Sequence, residues 1–79
     1  METSDLATNA YLYARGHRPV SHRVEGRRVV LVWPRTDIVE LDLDKFHAGP
    51  GGMVVNAFEL AAAYRDVKAT ISGLLARQE

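Results

Sequence analysis

Six arginines, Arg15, Arg18, Arg23, Arg27, Arg28 and Arg35, crowd one stretch of a 79-residue chain. His17 and His22 lie among them, and Glu25 is the one opposing carboxylate, so residues 15–35 carry a formal charge of +5. Residues 36–50 carry four carboxylates, Asp37, Glu40, Asp42 and Asp44, against Lys45, a charge of −3, while the whole chain sums to zero. A guanidinium is a planar fork of N–H donors that matches phosphate and carboxylate. The chemistry on offer is therefore anion recognition. A two-stranded ribbon can enter a major groove, and contacts from Arg18, Arg23, Arg27, Arg28 and Arg35 to phosphates would weaken steeply with salt. The competing reading is a solvated face whose arginines pair with Glu40, Asp42 and Asp44 on a neighbouring strand. An acidic protein surface is a third possible partner.

The remaining reactive side chains form no recognisable constellation. His17 and His22 are separated by a proline and His47 is remote, without zinc-finger or i, i+4 ligand spacing, so no metal or cofactor is expected. Ser21-His22 has no third member for nucleophilic catalysis. Gly49-Pro50-Gly51-Gly52 lacks the lysine and hydroxyl of a phosphate-binding loop. No catalytic residue is assigned, and a non-enzymatic protein is expected.

Such a short chain is one domain spanning residues 1–79, of a size that buries only about 60% of its unfolded surface. Its composition, 47% hydrophobic and 25% charged, is that of an ordinary folded domain. Cysteine is absent, which excludes disulfides and thiolate metal sites. The longest apolar run, Val29 to Trp33, is far short of the ~20 residues needed to cross a bilayer. The first residues lack the basic start and apolar run of a signal peptide, so a cytoplasmic location without membrane contact is expected.

The elements that must position the arginines follow from periodicity. Residues 4–15 read as a helix with Ser4 as N-cap and an apolar face of Leu6, Ala7, Ala10, Tyr13 and Ala14. Gly16 is placed to stop it with positive φ. Leu12 falls opposite that face and would stay wet in a monomer. Val20 to Pro34 reads as a hairpin turning at Glu25-Gly26, with Val20, His22, Val24, Val29, Leu31 and Trp33 on one face. Ser21, Arg23, Arg28, Val30 and Val32 take the other, and a slip of one residue would exchange the faces of one strand.

Residues 36–48 fit two periods. Val39, Leu41 and Leu43 alternate with acidic residues as in a half-buried strand, whereas Val39, Leu43 and Phe46 fit i, i+4, i+7 of a helix. The alternation favours a third, edge-like strand over 38–43, its carboxylates on the wet face. The last helix opens with the capping pair Asn56 and Glu59, flanked by the staple Val55 and Leu60. Leu60, Tyr64, Val67, Ile71 and Leu74 then form its seam, with Gly73 as a point of fraying. Its alanine-rich flank (Ala57, Ala61, Ala62, Ala63, Ala69 and Ala76) would admit a second helix closely, so a homodimer is expected.

From Tyr11-Leu12 through Gly16-His17, then Gly26-Arg27-Arg28-Val29-Val30-Leu31-Val32-Trp33, and Phe58 through Lys68 and Ile71, the chain resembles a small family of bacterial and phage-associated proteins known only as a domain of unknown function. It departs from that pattern at Pro34-Arg35, where the family tends to be acidic, and in the glycine-rich loop. The resemblance implies no activity and no site residues. Gly16, Ser21-His22 and Gly26-Arg27-Arg28-Val29 with Pro34 also echo small ribonuclease toxins of double-stranded-RNA-binding-like fold, although Val20 stands where those have glycine. That resemblance would make His22 catalytic.

The expectation is an α+β domain: helix, β-hairpin, a third short strand or helix, and a long C-terminal helix packed on a small antiparallel sheet. Val20, Val29, Leu31, Leu41, Leu43, Trp33, Leu60, Tyr64, Val67 and Ile71 are the expected core. It reads as an interaction module that binds nucleic acid or an acidic partner through its arginine hairpin.

Overall fold

The computed structural model describes residues 1–49 and 55–77. Its elements run β1 (Glu2–Thr3), α1 (Leu6–Ala14), β2 (Ser21–Glu25), β3 (Arg28–Val32), α2 (Asp37–His47) and α3 (Ala57–Ala76). The sheet is antiparallel in the order β1-β3-β2, and the fold is α+β with a long last helix. Residues 50–52 of the glycine-rich loop lie outside the described residues.

Helix α1 starts one residue later than expected: Asp5, not Ser4, is the N-cap, and its Oδ2 accepts from the Thr8 N–H at 3.0 Å and the Thr8 hydroxyl at 2.6 Å. Those bonds hold the Asp5 carboxyl below its ordinary pKa. At the other end Gly16 takes φ +91°. The Gly16 and His17 N–H groups donate back to the Tyr13 and Leu12 carbonyls, which is the Schellman closure.

The wet-Leu12 expectation is wrong. Thr8 to Leu12 are buried in succession, more than one full turn, so α1 is enclosed by the sheet on one side and by α2 and α3 on others. Leu12 joins Val29, Leu31, Trp33, Val39 and Val67 in the core. A single helical wheel assumed one buried face, and a central helix has more.

The third strand is β1, and residues 37–47 form a helix, which corrects the edge strand expected over 38–43. Local chemistry favours the helix. Thr36 Oγ1 accepts from the Val39 N–H at 3.2 Å, Asp37 and Glu40 sit in the first turn, and Lys45 and His47 sit in the last, all matched to the helix dipole. Val39, Asp42, Leu43 and Phe46 then turn inward, while Leu41, an expected core residue, is exposed. Val20 of the expected core is likewise exposed.

The hairpin turns at Gly26-Arg27 instead of Glu25-Gly26, because Glu25 pairs with Arg28 and Val24 with Val29. Gly26 has φ +64° and no other residue near it has positive φ, which fits glycine at the first position of a type II′ turn. The register moves by two residues, so the side chains keep the faces expected of them. Helix α3 is capped by Asn56 Oδ1, which accepts from the Glu59 N–H at 2.7 Å. It continues through Gly73 to Ala76, where fraying had been expected.

Candidate nucleic-acid interface

The hairpin places its arginines in three different circumstances. Arg23 lies on the outer face of the sheet, opposite Val30, while Glu2 on β1 lies opposite Val32. Their ion pair at 2.6 Å therefore crosses β3, and Arg23 Nε also reaches Glu25 Oε1 at 3.4 Å. The hydrogen bond from Arg23, and then its charge, holds the Glu2 carboxyl below its ordinary pKa; the same bond raises that of Arg23. Arg18 stacks over the Tyr13 ring, 3.8 Å from its centroid, and donates to the Tyr13 and His17 carbonyls.

Arg27, Arg28 and Arg35 are exposed and form no ion pair among the described residues. Arg27 sits in the turn and Arg28 opens β3. Arg35 follows Pro34 beyond the far end of β3, on the order of 20 Å away at ~3.3 Å per strand residue. Of the five arginines expected to act together, Arg23, Arg27 and Arg28 are neighbours at the hairpin tip. Arg18 and Arg35 stand apart from them.

The expected cross-pairing of the hairpin with Glu40, Asp42 and Asp44 is corrected as well. Asp42 is buried and belongs to a different cluster, accepting from Arg15 Nε at 3.2 Å and contacting His17 Nε2 at 2.6 Å. Burial pushes its pKa up, but the His17 hydrogen bond, with the charge and hydrogen bond of Arg15, leaves it below the ordinary carboxylate value. The cluster locks α2 against the end of α1. It was legible in the helical reading, which sets Asp42 on one face with Val39 and Phe46. The partner of Arg23 was not legible, since a two-residue strand such as β1 has no periodicity to detect.

His22 is exposed and makes no hydrogen bond among the described residues. It lines a shallow groove of about 250 Å³ with Pro19, Val20, Ser21, Leu31, Thr70 and Leu74. None of the described residues hydrogen-bonds to its ring or to the Ser21 hydroxyl. Among the described residues no three His, Asp or Glu side chains gather as metal ligands would, and no helix is long and apolar enough to cross a membrane. No family model, no curated protein and no solved structure matches the chain.

Proposed function

We propose that the protein is a non-enzymatic interaction module whose hairpin tip, Arg27 and Arg28, contacts the phosphates of a nucleic acid. The observation that carries this reading is the contrast among the cations. Arg15, Arg18 and Arg23 are engaged within the fold, whereas the tip pair is exposed and offers its forks outward. Arg23, braced by Glu2 and Glu25, stiffens the strand that presents them. Two phosphate contacts give a modest, salt-sensitive affinity, with a log–log slope of about −2 on duplex DNA.

The test is fluorescence anisotropy with a labelled duplex and a labelled single strand at rising salt. Binding that falls with this slope and disappears in Arg27→Glu/Arg28→Glu supports the proposal. Retained binding in that variant, or none to either probe at low salt, refutes it.

A further inference from the structure

The open edge of β2, with the groove beside it, is a second feature of the hairpin that the tip arginines do not use. Met1 and Trp33 exchange two backbone bonds, at 3.1 and 2.7 Å, so Trp33 and Leu31 direct their backbone groups toward β1. By the alternation of an antiparallel ladder, Val32, Val30 and Arg28 direct theirs toward β2, where they meet Ser21, Arg23 and Glu25. The N–H and C=O groups of His22 and Val24 therefore point away from the sheet. Unpaired strand edges of this kind template the addition of another strand.

The inner flank of that edge is an apolar trough. Pro19, Val20, Leu31 and Leu74 line the groove of about 250 Å³, and Val20 is 66% exposed within it. A second groove of about 270 Å³ shares Thr70 and Leu74 with the first and adds Arg77. An added strand would send alternate side chains into this trough, between sheet edge and helix α3. That is the combination by which strand-adding domains read peptides: main-chain bonds for affinity, a pocket for alternate residues.

Charge selects the occupant. No carboxylate is among the described residues lining either groove. Arg27 and Arg28 stand at one end of the edge, Arg18 precedes the other, and Arg77 flanks the trough. A second copy of the chain fits poorly. Symmetric pairing that satisfies both His22 and Val24 sets Arg23, already bonded to Glu2 and Glu25, directly against the same cluster of the copy, which offers it no complementary charge.

We infer that the β2 edge and the β2–α3 groove bind an extended segment of another protein in which apolar and acidic side chains alternate. Its backbone bonds and its trough are distinct from the phosphate-binding tip, whose arginines supply part of the charge that favours acidic side chains.

The test uses a fluorescein-labelled octapeptide of alternating valine and glutamate, with a valine–lysine version as control. His22→Pro removes an edge N–H that bonds to none of the described residues, as proline at an edge position permits, and Trp33 emission reports whether the variant is folded. Native protein should bind the acidic peptide. His22→Pro should weaken binding about tenfold, the equivalent of one or two backbone hydrogen bonds, and Thr70→Glu should weaken it by placing a carboxylate in the trough. His22→Pro and Thr70→Glu, which leave Arg27 and Arg28 untouched, should keep the nucleic-acid binding of the tip intact, so the two sites fail separately. Equal binding by folded His22→Pro, equal binding of the lysine peptide, or no binding at millimolar peptide would overturn the inference. So would a dimer, seen by light scattering, that dissociates in His22→Pro, since the edge would then belong to a second copy.

Discussion

Nε2 of His17 lies 2.6 Å from Oδ2 of Asp42, tying the residue just past the glycine stop of α1 to the middle of α2. With Arg15 on the other carboxylate oxygen, this contact fixes the angle at which the two helices meet. Asp42→Asn should lower stability by about 1–3 kcal/mol, the cost of taking the carboxylate away from Arg15 and His17, read as a lower urea midpoint.

The same carboxylate makes stability depend on acid. Asp42 has a folded pKa below its ordinary value, so in acid the unfolded chain binds the proton first. Its contribution is complete above an unfolded pKa of about 3.9 and is lost as pH falls through the lower folded value. Asp5 and Glu2 are shifted in the same direction, so native protein should lose stability as pH falls below about 4, through the lowered folded values. Urea titrations across that range should show a smaller loss in Asp42→Asn, and an identical loss would show that Asp42 is not a source of it.

A second buried polar contact joins the sheet to α1. Trp33 Nε1 donates to Asn9 Oδ1 at 2.8 Å, and Asn9 Nδ2 donates to the Thr3 carbonyl at 3.3 Å. Asn9→Leu strands the indole N–H in the core, at a cost of about 1–3 kcal/mol. Trp33→Phe should cost less in that background than in the native protein, because the indole donor it removes is already stranded there. A thermal-melt double-mutant cycle measures the coupling, which is zero if the contact is inert.

Tyr11 gives the opposite expectation. Its ring is fully buried and packs on Phe46 with centroids 5.1 Å apart, yet its hydroxyl has no hydrogen-bond partner among the described residues. Tyr11→Phe should leave stability unchanged or raise it by about 1 kcal/mol, since an unpaired buried hydroxyl carries only a desolvation cost. A clear drop in melting temperature would contradict the structure at this point.

Two leucines separate the true core from the expected one. Leu12→Ala should cost about 2–5 kcal/mol as a buried cavity, whereas Leu41→Ala on the exposed face of α2 should stay within about 0.5 kcal/mol. Equal effects in chemical denaturation would refute the burial of Leu12.

The features legible in the sequence are those whose cause lies within a few residues. Gly16 ends α1 because positive φ there is easy only for glycine. Asn56 caps α3 through a bond to its own third residue, and the hairpin faces survive a two-residue shift in register because strand side chains repeat every second residue. Tertiary structure decided the rest. Residues 37–47 satisfy strand and helix periods alike; the Thr36 cap and the end charges favour the helix locally, and the burial of Val39 and Asp42 fixes which face turns inward. Leu12 is buried because partners approach α1 from several sides, which no single-helix pattern encodes. Arg23 is set apart from Arg27 and Arg28 by Glu2, a residue distant in sequence and brought alongside only by the ladder between β1 and β3.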